Sequence, residues 1–291
     1  MENAKLLPHQ LKPPKINSYQ KKPGRVNFCL MMVLLAALAT SVSAAEEEGF
    51  WKKTSIDLKL AYASKYLWRG YDLWNDGPAL QPDLYLGLGG TGIYAGIWSS
   101  YSIKSGCTDP FGDKCSDWNE HDYYFGYYNS LWNDSRFKTD YDVSYTFYSF
   151  FKLHGVDTQE IALALTHPNL LPEIGGSRPA LYWTFYYGWP VHDGIDSLWL
   201  KLGLKHEFAV WGQQNLKTLI ESVWDDGAAG FQTGEGWSHV KVGAATKFEW
   251  GALGLEPALY YQWKTKDHVP SALCENEFWF MVSLSWNIKP F

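Results

Sequence analysis

From residue 54 onward, apolar side chains return at every second position. Ile56, Leu58, Leu60 and Tyr62 alternate with Asp57, Lys59, Ala61 and Ala63. Leu198, Leu200, Leu202 and Leu204 alternate with Trp199, Lys201, Gly203 and Lys205. The last segment sets Phe278, Phe280, Val282, Leu284, Trp286 and Ile288 against Trp279, Met281, Ser283, Ser285 and Asn287. A period of two sends neighbours to opposite faces of a strand. Twelve segments carry this pattern: 54–68, 79–89, 92–103, 120–129, 136–150, 158–166, 177–188, 196–208, 215–224, 237–250, 253–264 and 276–289. The composition of 215–224 also suits a short helix. It is read as a strand because its neighbours would otherwise run in the same direction. An even number of antiparallel strands fits a closed barrel.

A secreted β-sandwich also alternates. Here the apolar face persists for roughly ten residues per strand, enough to cross a bilayer when tilted. Tyr66, Trp68, Tyr101, Trp250, Tyr261, Trp263 and Trp286 fall near segment ends, where aromatic girdles meet the membrane interface. Phe291 adds a terminal aromatic, set out of phase with the last strand by Pro290. The expected fold is therefore all-β, a single antiparallel transmembrane β-barrel of about 12 strands spanning residues 45–291. A mean hydropathy of -0.28 is compatible with this, because only the lipid face need be apolar. An aromatic content of 17% excludes a disordered chain. The connections 89–92 and 250–253 are tight, whereas 104–119, 225–236 and 266–275 are long and polar. Short turns belong on the periplasmic side of such a barrel.

Residues 1–44 read as a cleaved secretory signal. Lys5, Lys12, Lys15, Lys21, Lys22 and Arg25 precede an apolar run from Phe28 to Ala39, and Val42-Ser43-Ala44 supplies the small-residue cleavage pattern. The apolar run is shorter than the ~20 residues of a spanning helix. Six basic residues and one acidic residue leave with this segment, so the net charge moves from -6 to -11. Such an acidic chain is a poor partner for nucleic acid. Cys29 also leaves.

With the apolar positions on lipid, their alternates face the lumen. Glu120, Asp122, Asp140 and Asp142 then form an acidic wall, and Lys201, Lys205, Lys241 and Lys247 a roughly opposing basic one. Asp57, Lys59, Lys65 and Arg69 form a mixed-sign ladder on the first strand, with Arg69 near the outer mouth. Ionised groups inside a barrel need water or one another. A hydrated channel for small polar solutes or ions satisfies them with water, and a plugged lumen satisfies them with ion pairs. The plugged alternative would leave a structural or adhesive barrel that binds partners through its loops.

The predicted outer loops carry Asp72, Asp76, Asp109, Asp113, Asp117, Asp225, Asp226, Glu235, Asp267 and Glu275. They can gather cations at the mouth, bridge to lipopolysaccharide phosphates through divalent ions, or simply be solvated. Their spacing matches no EF-hand loop, and no cofactor or metal site is expected. Cys107 and Cys115 share one loop of an exported chain and are expected to form a disulfide, with Cys274 left over. No catalytic motif appears. A barrel hydrolase would need a Ser–His pair on the lipid face. His121 and His206 are the lipid-facing histidines, and neither is expected to have a Ser partner. His154, His192 and His268 fall in loops.

Tyr66-Leu67-Trp68-Arg69-Gly70, Pro78-Ala79-Leu80-Gln81-Pro82 and Gly92-Ile93-Tyr94-Ala95-Gly96-Ile97-Trp98-Ser99-Ser100 resemble successive motifs of the TorF-type porin family. Glu120-His121-Asp122-Tyr123-Tyr124-Phe125-Gly126-Tyr127 and Tyr141-Asp142-Val143-Ser144-Tyr145 are similar to the two that follow. The likeness covers the first half of the mature chain. It implies a bacterial outer-membrane barrel and leaves the solute open.

Overall fold

The structure is a computed structural model that describes residues 44–108, 114–192, 194, 196–211, 214–227, 234–265 and 274–288. The expectations for residues 1–43, Asp109, Asp113, Asp267, His268, Pro290 and Phe291 lie outside the described residues.

A helix, α1 (Ala44–Lys53), leads into the barrel. Lys52 and Lys53 occupy its last turn, where cations complement the helix dipole. Twelve strands follow: β1 (Ser55–Ala63), β2 (Ala79–Gly87), β3 (Ile93–Ser102), β4 (Glu120–Leu131), β5 (Thr139–Phe150), β6 (Thr158–His167), β7 (Ala180–Pro190), β8 (Ser197–Trp211), β9 (Gln214–Asp225), β10 (Gly236–Thr246), β11 (Leu253–Lys264) and β12 (Glu277–Ile288). Phe248–Trp250 continues β10 past a break at Lys247. Each strand pairs antiparallel with the next, and β12 returns to β1 from Ile56↔Ile288 to Ala63↔Met281. Closure removes every sheet edge, as a bilayer demands of backbone groups that find no water. The segment 215–224 is a strand paired on both sides.

The wall is one sheet thick, so there is no second layer to make a sandwich. Leu60, Ile97, Val143, Ile161, Leu202, Ile220, Leu259 and Leu284 stand 40–54% exposed around the outside. A soluble surface does not carry so continuous an apolar belt. The chain is a transmembrane β-barrel.

Inside, tyrosines lie flat across glycines of the neighbouring strand. Tyr124 faces Gly96, Tyr94 faces Gly126, Tyr182 faces Gly203 and Tyr260 faces Gly243. A Cβ added at Gly96 would stand 2.3 Å from the Tyr124 ring, and one at Gly203 2.3 Å from the Tyr182 ring. Each glycine is the space that one ring fills. Three of these rings then reach a carboxylate: Tyr124 donates to Asp83, Tyr94 to Asp142 and Tyr182 to Glu221.

The expected first strand, 54–68, is too long. β1 stops at Ala63, and residues 64–78 turn back into the lumen instead of extending beyond the rim. Arg69, Gly70, Asn75 and Asp76 all have positive φ, which breaks the extended chain. Tyr66 and Trp68 consequently leave the expected girdle for the interior. Loop lengths alternate less strictly than expected, since 151–157 and 191–196 lie on the long-loop rim and are no longer than the turn 132–138.

Candidate functional site

The loop 64–78 folds inward at the long-loop rim and packs against the barrel wall. A two-residue hairpin, Leu67–Trp68 against Tyr71–Asp72, forms its tip. Tyr71 and Trp74 are fully buried, and Tyr66 is nearly so. Tyr66 and Trp74 pack with Ala63, Ala79, Cys107 and Cys115. Cys107 and Cys115 form a disulfide there, so the neighbouring loop holds Trp74 in place. Tyr71 packs with Trp199, Val223 and Cys274 on the other side, and its hydroxyl donates to Asp225 at 2.6 Å. Gly70 sits against His239, whose Nδ1 would be 2.1 Å from a Cβ there. The Gly70 carbonyl accepts from Gln262 Nε2 at 3.0 Å. Asp72 caps the turn by accepting from the backbone N–H groups of Trp74 and Asp76. Burial pushes the Asp72 carboxyl above its ordinary range, although those two N–H groups favour its charged form. Burial also lifts the Cys274 thiol to about 12.

Arg69 is the charged centre of this loop. Its Nη2 lies 2.7 Å from both oxygens of Glu160 on β6. Its guanidinium carbon is 3.8 Å from the Tyr186 ring centroid, 4.5 Å from that of Trp68 and 5.3 Å from that of Trp199. The expected ladder on the first strand therefore does not form. Only Asp57 and Lys59 belong to β1. Lys65 lies in the loop, paired with Asp76 and Glu277, and Arg69 crosses the lumen to β6. Asp72, Asp76 and Glu277 converge closely enough to hold a cation, but the Lys65 ammonium already stands between Asp76 and Glu277.

The four acids of β4 and β5 do not form one wall. Adjacent antiparallel strands run in opposite directions, so Glu120 pairs with Phe150 while Asp140 pairs with Ser130. Glu120 and Asp122 consequently lie at the long-loop end. There Glu120 accepts from Tyr66, and Asp122 is buried with its Oδ1 unpartnered among the described residues. Asp140 and Asp142 lie at the short-turn end, where Asp140 meets Ser130 and Lys138, and Asp142 accepts from Tyr94. The bases are also interrupted. Lys241 pairs with Glu221 at 2.6 Å, and Lys247 with Glu249 at 2.6 Å beside the β10 break. Lys201 and Lys205 stand 5.5 Å and 5.9 Å from the Tyr186 and Tyr182 rings. The acids thus stay on the neighbouring strands β4, β5 and β6, while on the basic side Glu221 of β9 stands between Lys201 and Lys241 and pairs with the latter.

At the short-turn rim a cavity of about 680 Å³ opens between α1, the turn 88–92 and the ends of β4 and β5. Tyr85, Tyr94, Tyr128, Asn129, Ser130 and Asp142 are among its lining residues.

The two lipid-facing histidines do have serine partners, contrary to expectation. Ser99 Oγ is 2.7 Å from His121 Nδ1, and Ser177 Oγ is 2.8 Å from His206 Nε2. Among the described residues no carboxylate touches either ring, so neither pair has the acid that would orient a catalytic histidine. A hydroxyl beside each ring satisfies polar atoms where lipid offers none.

Glu160, Tyr186, Trp199, Glu221 and Gln262 complete the site, and no sequence motif marks them. Strand parity sends Glu160 and Glu221 inward, but their partners lie 91 and 20 residues away, which no local pattern encodes.

The fold defines the chain as a twelve-stranded transmembrane β-barrel whose lumen is crossed near one rim by its own loop. No family model matches the sequence. No curated protein matches it. Among solved structures it is similar to the KdgM porin, at 8% identity over 80% of this chain and 98% of that one, with a TM-score of 0.46. The NanC porin matches at 8% identity over 79% and 98%, with a TM-score of 0.48. The COG4313 outer membrane channel from Pseudomonas putida F1 matches at 10% identity over 81% and 95%, with a TM-score of 0.44. These neighbours are two porins and an outer membrane channel. Identities this low and TM-scores below 0.5 transfer nothing about solute or activity to this chain.

Proposed function

We propose that this barrel is a channel of the bacterial outer membrane for passive diffusion of small polar solutes or ions. In this reading it is exported through a cleaved signal over residues 1–44 and is related to the TorF-type porins. The observation that carries the reading is the inward face. Lys59, Asp83, Asp142, Lys205 and Glu256 project into the barrel, and ionised side chains in a transmembrane interior require water or full pairing. The cavity at the short-turn rim gives that water a way in. The loop 64–78 then acts as the element that sets conductance at the other rim. Lipid and lipopolysaccharide surround the barrel, and the acidic outer loops meet cations at its mouth. No chemistry is assigned to the chain.

Purified barrel in planar bilayers should give stepwise conductance. Silence from a folded barrel, in the wild type and in variants that release the loop, would refute the channel. A second reading would then take its place, a structural or adhesive barrel that binds partners through its loops. The burial of Tyr66, Tyr71 and Trp74 in the lumen favours that second reading.

A further inference from the structure

The environment of Arg69 is assembled mainly by the barrel wall. Glu160 comes from β6, Tyr186 from β7, Trp199 from β8 and Asp122 from β4. Together they make a pocket with a buried carboxylate, two aromatic rings and a second buried acid. Lys201 faces Tyr186 from the same wall and opposes a cation, while the buried Glu160 carboxylate favours one.

Arg69 uses this pocket incompletely. Nη2 alone meets both Glu160 oxygens, whereas Nη1 is buried without a partner among the described residues. A guanidinium normally meets a carboxylate through two parallel N–H donors. Asp122, 8% exposed, also keeps an unpartnered Oδ1, and it pairs across β4 and β5 with Tyr148, whose hydroxyl donates to Glu160 at 3.1 Å. The backbone pays for the placement, since Arg69 sits at φ 50, a left-handed conformation that side-chain-bearing residues avoid. A tethered guanidinium is thus held, under strain, in a pocket with donors and acceptors to spare.

We propose that Glu160, Tyr186, Trp199 and Asp122 form a binding site for guanidinium-bearing solutes, and that Arg69 occupies it as a tethered stand-in. An untethered guanidinium can turn to present two N–H groups to Glu160 and a further donor to Asp122, while its plane stacks on Tyr186. The inference deepens the channel reading by naming a solute class for the lumen, but binding itself does not require conductance.

The test is calorimetric titration of the full barrel in detergent with methylguanidinium, with N-methylurea as its neutral isostere. Arg69→Gly empties the pocket and accepts the left-handed backbone. It should bind methylguanidinium at least tenfold more tightly than the wild type, and Arg69→Gly/Glu160→Gln should lose that gain. Equal binding by wild type and Arg69→Gly, equal binding of N-methylurea, or indifference to Glu160→Gln would each overturn the site. Heat-modifiable gel migration verifies folding. If Arg69→Gly does not fold, the wild type answers. Roughly 100 mM methylguanidinium exceeds the millimolar effective concentration of a short tether, and should change Trp fluorescence saturably as the loop leaves Trp199. No saturable change relative to N-methylurea overturns the proposal. Binding without conductance in bilayers would refute the channel and leave the site standing.

Discussion

Replacing Glu160 by Gln isolates the latch between loop and wall. In the wild type the Arg69 and Glu160 side chains are 10% and 6% exposed, so neither ion has water to fall back on. Breaking a buried pair by removing one charge costs about 3–5 kcal/mol. Gln keeps one carbonyl acceptor, and Tyr148, 3.1 Å from Glu160 Oε1, can still donate to it, so the lower end of about 3 kcal/mol applies. The barrel need not carry that cost, because the loop can swing Arg69 back into water. The open population should therefore rise by about 100-fold, at 1.4 kcal/mol per factor of ten. Single-channel recording in planar bilayers reads this as open probability, rising by that factor or to saturation. Combining Glu160→Gln with Arg69→Ala should add little, since the interaction is already lost. Unchanged open probability in Glu160→Gln, with the folded barrel inserted, would show that the ion pair does not hold the loop. Full additivity of the two substitutions would show that they act separately.

Reducing the Cys107–Cys115 disulfide should loosen Trp74 and raise loop opening, since a bridge closing so short a loop is worth about 2–3 kcal/mol; dithiothreitol added during recording checks this. Reversing Asp142 to Lys at the short-turn cavity should shift the reversal potential in a salt gradient toward anions, and an unchanged potential would remove Asp142 from the pore wall. Gly126→Ala places a Cβ 2.4 Å from the Tyr94 hydroxyl and 2.8 Å from the Val143 carbonyl oxygen; it should destabilise the barrel by about 1–3 kcal/mol, seen as a lower midpoint in urea-dependent gel migration. With its ordinary value raised to about 12 by burial, the Cys274 thiol stays protonated at pH 8 and should resist maleimide in the folded barrel, then react once urea exposes it.

The alternation of Ile56, Leu58 and Leu60, or of Phe278 to Trp286, makes the barrel legible from sequence. Strand periodicity is a local property, and one face must meet lipid along its whole length. That same parity puts Asp122, Asp142, Lys201 and Lys241 on the face opposite the apolar one. It says nothing about depth or partner. Glu120 and Asp140 look like members of one acidic wall until antiparallel register separates them to opposite ends. Lys241 looks like part of a basic wall until Glu221 meets it from the next strand. Residues 64–68 continue the pattern of β1 on paper, and Tyr66 and Trp68 have the composition of a girdle. The turn inward depends on where Glu160, Tyr186, Trp199, Asp225 and Gln262 stand after closure, and these come from five different strands. The sequence by itself determined which residues face lipid and which face inward, because that choice follows from a two-residue repeat. Only the tertiary structure decided that a loop crosses the lumen near one rim, because the loop's contacts exist only once the ring of strands brings distant residues around it.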